Sequence, residues 1–135
     1  MTTNLTGAVP DGRAAEADQI AIRATIDDYY LGWYDGNGER MARALHPDLA
    51  KRGWLPDGAG GWSIDRDTRA TMVEQAAGGR GRRTDPAERS YTVHISDLSG
   101  DIAAAEVHAV PYVDFLHLVR TRDGWRILNA LWCPA

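Results

Sequence analysis

The stretch YVDFLHLVRTRDGWRILNALW, residues 112–132, decides how this chain folds. Two runs rich in aromatic, β-branched and leucine residues flank Arg122-Asp123-Gly124, whose Asp-Gly step is a hairpin signal. The pattern predicts a long antiparallel hairpin. Phe115, His117 and Val119 fall on one face of its first strand; Asp114, Leu116 and Leu118 fall on the other. Both faces are largely apolar, so the hairpin belongs in the middle of a curved sheet. Helices must cover one side and a second layer the other. Asp114 stands out as a carboxylate inside an otherwise apolar strand.

The register of this hairpin decides what faces Asp114. A two-residue turn at Asp123-Gly124 sets it beside Ile127, Leu131 and Cys133, and a three-residue loop beside Leu128, Ala130 and Trp132. The second is expected, because it brings Asp114 and Trp132 onto the concave face.

The rest of the composition narrows the class. A length of 135 residues suits one domain with a real core, and 44% hydrophobic with 25% charged residues is ordinary for a globular protein. A formal net charge of −4 gives no global attraction for nucleic acid or anionic lipid. No apolar run approaches the roughly 20 residues of a membrane helix. The start, MTTNLTGAVPDGRAAEAD, lacks a signal-peptide pattern. A lone Cys133 excludes an internal disulfide and a cysteine-based zinc site. The cytoplasm is the expected compartment. Lys51 is the only lysine among fifteen basic residues, a bias that reads as genome composition rather than function.

Residues 1–13 read as a loose tail with a Pro10-Asp11-Gly12 turn, and the single domain as 14–135. From about Ala14, Ile22, Ile26, Tyr29 and Trp33 recur at helical spacing, with Tyr30 and Tyr34 beside that stripe. Gly36 can end this helix in a left-handed conformation, and Asn37 can cap a short helix from Glu39 to Leu45, stopped by Pro47. A strand over 49–55, a glycine-rich turn and a return over 62–64 follow. A third helix, capped by Asp65 or Asp67, runs to about Ala77 with Met72 and Val73 inward. The basic loop Gly78–Arg83 reads as a solvated connection, with phosphate contact as the alternative. Strands over 89–98 and 102–110 precede the closing hairpin. The order is α+β with no repeat.

This order, with YLGWYDGNGERMARALHPD early and VDFLHLVRTRDGWRILNALW late, resembles the nuclear transport factor 2-like superfamily over roughly residues 16–132. Within it the helix-ending His46-Pro47-Asp48, the late Asp114 and the Gly124-Trp125 turn are most similar to the lumazine-binding branch. The resemblance implies a cone: a strongly bent antiparallel or mixed sheet wraps three helices and leaves a pocket at its wide end. It also implies homodimers through the sheet. Function is left open, because the superfamily hosts isomerases, dehydratases, cyclases, hydrolases and binding modules. A more distant likeness to ketosteroid isomerase implies Tyr30 and a protonated Asp114 as oxyanion donors and Trp132 as a pocket wall. The chain departs from that enzyme at Gly53, which stands where the isomerase has its general-base aspartate.

Several residues carry two readings. Asp114 needs a partner or must be neutral: a structural ion pair and a pocket acid both fit. Tyr30 is either core filler or a pocket hydroxyl. His46 either faces the helix carbonyls or serves the pocket with His117 as proton carrier. His94, His108 and His117 lie on three strands without a recognisable ligand spacing, so no metal site is expected. Trp54 and Trp62 form either a cross-strand pair beside the turn or a lid. The resulting expectation is a cofactor-free pocket for a small organic ligand. Tyr30, Asp114, His46 and His117 would do its acid–base chemistry, and Tyr34, Trp54, Trp62 and Trp132 would contact the ligand. A non-catalytic binding module and a dimeric interaction domain are the other readings.

Overall fold

A computed structural model describes residues 12–135, with side chains from residue 15 onward. The tail expected over 1–13 lies outside the described residues, except that its last two positions already belong to the first helix. The helices are α1 (Gly12–Asp35), α2 (Gly38–Ala44) and α3 (Arg69–Ala77). The strands are β1 (Leu45–Pro56), β2 (Trp62–Asp67), β3 (Tyr91–Ser99), β4 (Ile102–Ala109), β5 (Tyr112–Thr121) and β6 (Gly124–Pro134). They form one mixed sheet in the order β2-β1-β6-β5-β4-β3, in which β1 runs parallel to β6 and the other neighbours are antiparallel.

The helix stripe buries as its spacing requires. Ile22 and Ile26 are fully enclosed, and Tyr29, Tyr30 and Tyr34 turn inward beside them. Small residues on β4 (Ala103, Ala105 and Ala109) share the helix-covered face with Leu116, Leu118 and Ile127. Thr25 anchors α1 to the sheet by donating from Oγ1 to the Trp125 carbonyl at 2.9 Å. The helix ends where Gly36 takes φ 64°, a backbone conformation costly for any residue with a Cβ. Asn37 then caps α2, its side chain accepting from the Arg40 amide at 3.0 Å. No helix among the described residues is long and apolar enough to cross a membrane.

Two boundaries differ from the sequence reading. The extended geometry imposed before Pro47 starts β1 at Leu45, and the β1–β6 ladder is irregular between Leu45 and Ala50, where Pro47 offers no N–H. Strand β2 runs on to Asp67, and Thr68 rather than an aspartate caps α3 in a reciprocal capping box with Thr71. Asp65 and Asp67 thereby become strand residues, directly opposite Gly53 and Lys51.

The closing hairpin reaches the expected pairing by another route. Thr121 pairs with Gly124, so the loop is the two residues Arg122 and Asp123. Continued without interruption, that register would set Asp114 opposite Leu131. A bulge at Leu128 shifts the ladder by one residue, and Asp114 lies opposite Trp132.

The second face of the sheet is open. Phe115, Leu131, Ile102, Trp54 and Trp62 are exposed there. The two tryptophans are stacked with ring centroids 5.8 Å apart and planes 4° from parallel.

Candidate functional site

A cavity of about 220 Å³ opens between α1, α3 and the β2-β1-β6-β5 part of the sheet. Helix α1 contributes Tyr29, Tyr30 and Trp33; β1 contributes Lys51 and Leu55; β2 contributes Asp65 and Asp67. Met72 and Gln75 come from α3, Arg80 from the loop after it, and Tyr112, Asp114 and Trp132 from the closing hairpin. The walls are therefore aromatic, with a few charged groups set into them, the usual make-up of a small-molecule site.

Asp114 is the deepest of those groups, 3% exposed. Tyr30 Oη donates to Asp114 Oδ2 at 2.5 Å, while Asp114 Oδ1 has no partner among the described residues. Burial pushes the Asp114 carboxyl above the ordinary range; the Lys51 charge and the Tyr30 hydrogen bond pull it part of the way back. Burial and the neighbouring Asp114 charge push the Tyr30 hydroxyl well up, so it keeps its proton and remains the donor. Tyr30 thus holds Asp114, and Asp114 lines the cavity. Two independent donors converging on one ligand oxygen, as the isomerase likeness implies, would need the Tyr30 proton to point elsewhere.

Lys51 is the residue that the sequence reading passed over. Its Nζ donates to Tyr29 Oη, and it lies 4.9 Å from the Tyr29 ring centroid and 5.4 Å from that of Trp132. None of the ion pairs among the described residues involves it. Asp67, its cross-strand neighbour, is engaged by Thr71 Oγ1 and Gln75 Nε2, each at 2.8 Å. Burial lowers the Lys51 amine below its usual range, with the Asp114 and Asp67 charges opposing. Two signals pointed here: Leu49, Lys51, Gly53 and Leu55 alternate onto one strand face, and a single lysine among arginines is itself unusual.

These opposed shifts make a specific expectation. Replacing Lys51 by Met removes the positive charge that lowers the Asp114 carboxyl, so Asp114 should titrate higher still. The amine's own depressed value means that it favours the fold only where it is neutral, above the unfolded 10.5, and that this benefit is lost as pH falls through its folded value. Lys51→Met should therefore not melt earlier at neutral pH. Carboxyl carbon NMR across pH checks the first statement; an Asp114 value unchanged by the substitution would show that the two groups do not communicate.

Trp132 closes the site against β1. Its Nε1 is buried without a partner among the described residues, and its ring meets Tyr112 edge-on at 5.5 Å. A Cβ built at Gly53 would lie 2.7 Å from the indole. The bare backbone at Gly53 is thus covered by the Trp132 ring. The basic loop is also more than a solvated connection. Gly81 is buried, a Cβ there would come within 2.2 Å of the Trp33 ring, and Arg80 reaches the cavity.

The remaining expected site residues lie elsewhere. His117 is exposed on the open sheet face, its ring near Asn129 Nδ2 at 3.3 Å. An offset of three from Asp114 along one strand sends it to the opposite face. His46 Nδ1 accepts from the Asp48 amide at 3.0 Å, beside Arg43 and Arg69 in a separate groove under the Arg122-Asp123 turn. Trp54 and Trp62 are the stacked outer pair and not a lid. Tyr34 is fully buried behind Tyr30 at 5.9 Å between rings, with its hydroxyl pushed up to about 12 by burial, and it supports the wall without forming it. Among the described residues no three His, Cys, Asp or Glu side chains are grouped to hold a metal ion.

A family model described as "Putative lumazine-binding" matches residues 17–133, which is nearly the whole of this cone and every wall of its cavity. The chain belongs to that family. As a lumazine-binding-family protein it has the nuclear transport factor 2-like fold, and solved structures bear this out. One, an NTF2-like protein of unknown function from Silicibacter pomeroyi, is 16% identical with a TM-score of 0.67; 93% of this chain and 100% of that one are covered. Another such protein from Methylobacillus flagellatus is 18% identical with a TM-score of 0.65, covering 95% and 97%. An NTF2-like protein with a cystatin-like fold from Novosphingobium aromaticivorans is 17% identical with a TM-score of 0.62, covering 90% and 84%. No curated protein matches. The family and the cavity together make this a small-ligand pocket protein.

Proposed function

We propose that the chain is a cofactor-free acid–base enzyme of the isomerase, dehydratase or cyclase kind. Its substrate would be a small apolar or aromatic molecule bearing a polar oxygen. The observation that carries this reading is the Tyr30–Asp114 pair in the lining of an aromatic cavity: a 2.5 Å hydrogen bond on one carboxyl oxygen, and no partner among the described residues on the other. Asp114 holds or protonates the substrate oxygen, Tyr30 keeps it oriented, and Lys51 is the base on the other side. His46 and His117 have no part in it. Hydrogen–deuterium exchange α to the carbonyl of cyclohex-2-enone and 2-tetralone, followed by proton NMR, tests the chemistry without a known substrate. Exchange above the buffer rate that Asp114→Asn abolishes supports it; exchange equal in parent and variant overturns it.

A second reading, a non-catalytic ligand-binding module, is favoured by the Trp132 ring over Gly53, which removes the isomerase's base position. Titration with lumazine, read by tryptophan fluorescence, separates the two: binding with no exchange on any probe favours the module.

The open sheet face supports a homodimer. Trp54, Ile64, Phe115 and Leu131 are each about half exposed there, at 46%, 45%, 52% and 54%, with helices occupying the other side. Light scattering should give twice the chain mass at micromolar concentration, and Phe115→Arg should halve it. A monomeric parent would rule out this interface.

A further inference from the structure

The Lys51 amine sits in a setting that suits more than proton transfer. It is the chain's only lysine, one of its N–H groups is spent on Tyr29 Oη, and no carboxylate among the described residues is ion-paired to it. The rings of Tyr29 and Trp132 lie at 4.9 and 5.4 Å from its nitrogen. Asp114, 3% exposed and with no partner for Oδ1 among the described residues, lines the same cavity. A desolvated amine and a buried acid lining one largely aromatic cavity are the pair of groups that carbonyl condensation requires.

We propose that Lys51 forms a covalent imine with an aldehyde or ketone held in this cavity, with Asp114 carrying the protons. The inference rests on the pocket being a reaction site for oxygen-bearing organic molecules, as read above. The amine lone pair forms the C–N bond, and the carbonyl π pair moves to oxygen, which takes the Asp114 proton. One N–H proton returns to the Asp114 carboxylate, and from there to the hydroxyl. The C–O bond then breaks, water leaves, and the nitrogen lone pair closes the C=N bond. The products are one protonated imine, one water and an ionised Asp114, so the imine cation and the carboxylate face each other. Burial supports both starting states, by lowering the amine and raising the acid. Neither role is available to arginine, whose guanidinium stays protonated, which gives a reason for one lysine in a chain that otherwise uses arginine.

Reductive trapping tests this on the whole chain with benzaldehyde and sodium cyanoborohydride near neutral pH, read by intact mass and peptide mapping. The expected result is a single benzyl group on Lys51, formed at least tenfold faster than on the α-amino terminus or on a free lysine amide. Lys51→Arg, which keeps the cation, should lose this label, and Asp114→Asn should slow it by roughly tenfold or more. Label confined to the α-amino group, or a Lys51 rate equal to that of free lysine amide, overturns the proposal. Tryptophan fluorescence of the Lys51→Arg variant with benzaldehyde separates the two levels of reading. Binding retained there, with no label on Lys51 in the parent, overturns the imine and leaves the acid–base pocket standing. Loss of both binding and label overturns the two together.

Discussion

Asp114→Asn is expected to lose about 10²–10³ of the exchange activity, the cost of removing one preorganised group of this kind, about 2.7–4 kcal/mol. It should do so without melting earlier. The carboxyl is raised in the folded state by burial, so its contribution to stability is fully present below the unfolded value of 3.8. That contribution is lost as pH rises through the folded value. At neutral pH an ionised Asp114 works against the fold, and an asparagine in its place still accepts from Tyr30. The variant's melting temperature should therefore match the parent's in acid and draw level or ahead as pH rises. A variant less stable at every pH would make Asp114 a structural acceptor and remove the main support for catalysis. Tyr30→Phe is the companion: it strips Oδ2 of its 2.5 Å donor, should raise the Asp114 carboxyl further, and should retain part of the activity.

The second large effect is at Gly53. In an ordinary strand, glycine to alanine gains roughly 0.5–1 kcal/mol from lost backbone freedom. Here a Cβ would stand 2.7 Å from the Trp132 Cε2 and Nε1 atoms, and overpacking of this sort costs about 1–3 kcal/mol. The clash wins, so Gly53→Ala should lower the melting temperature by several degrees and shift the tryptophan emission as Trp132 moves. In a Trp132→Leu background the penalty should largely disappear, a coupling within the 0.5–3 kcal/mol seen for residues in contact. An equal penalty in both backgrounds would mean that the ring is not what keeps position 53 bare. By the same packing, the side chain of Gly53→Asp would find room only where the indole is absent.

The amino-acid sequence by itself determined the elements and their order. Period and composition are local: Ile22, Ile26 and Tyr29 mark a helix face, and Phe115 against Leu116 marks a strand with two faces, whatever lies around them. It also marked Asp114, since a carboxylate among Leu116 and Leu118 is costly in any fold that buries that face. The same alternation was enough to place His117 on the face opposite Asp114. The tertiary structure alone decided what meets the carboxylate. Asp114 faces Trp132 because a bulge at Leu128 shifts the ladder by one residue, and one residue of register moves a side chain to the other face. The end of β2 likewise turned on Thr68 capping α3, which left Asp65 and Asp67 on the strand facing the cavity. Lys51 is the clearest case. Its strand face was legible, but its closeness to Tyr29, Trp132 and Asp114 depends on packing α1 and the closing hairpin against β1. Such contacts join residues far apart in the chain, and no local pattern encodes them.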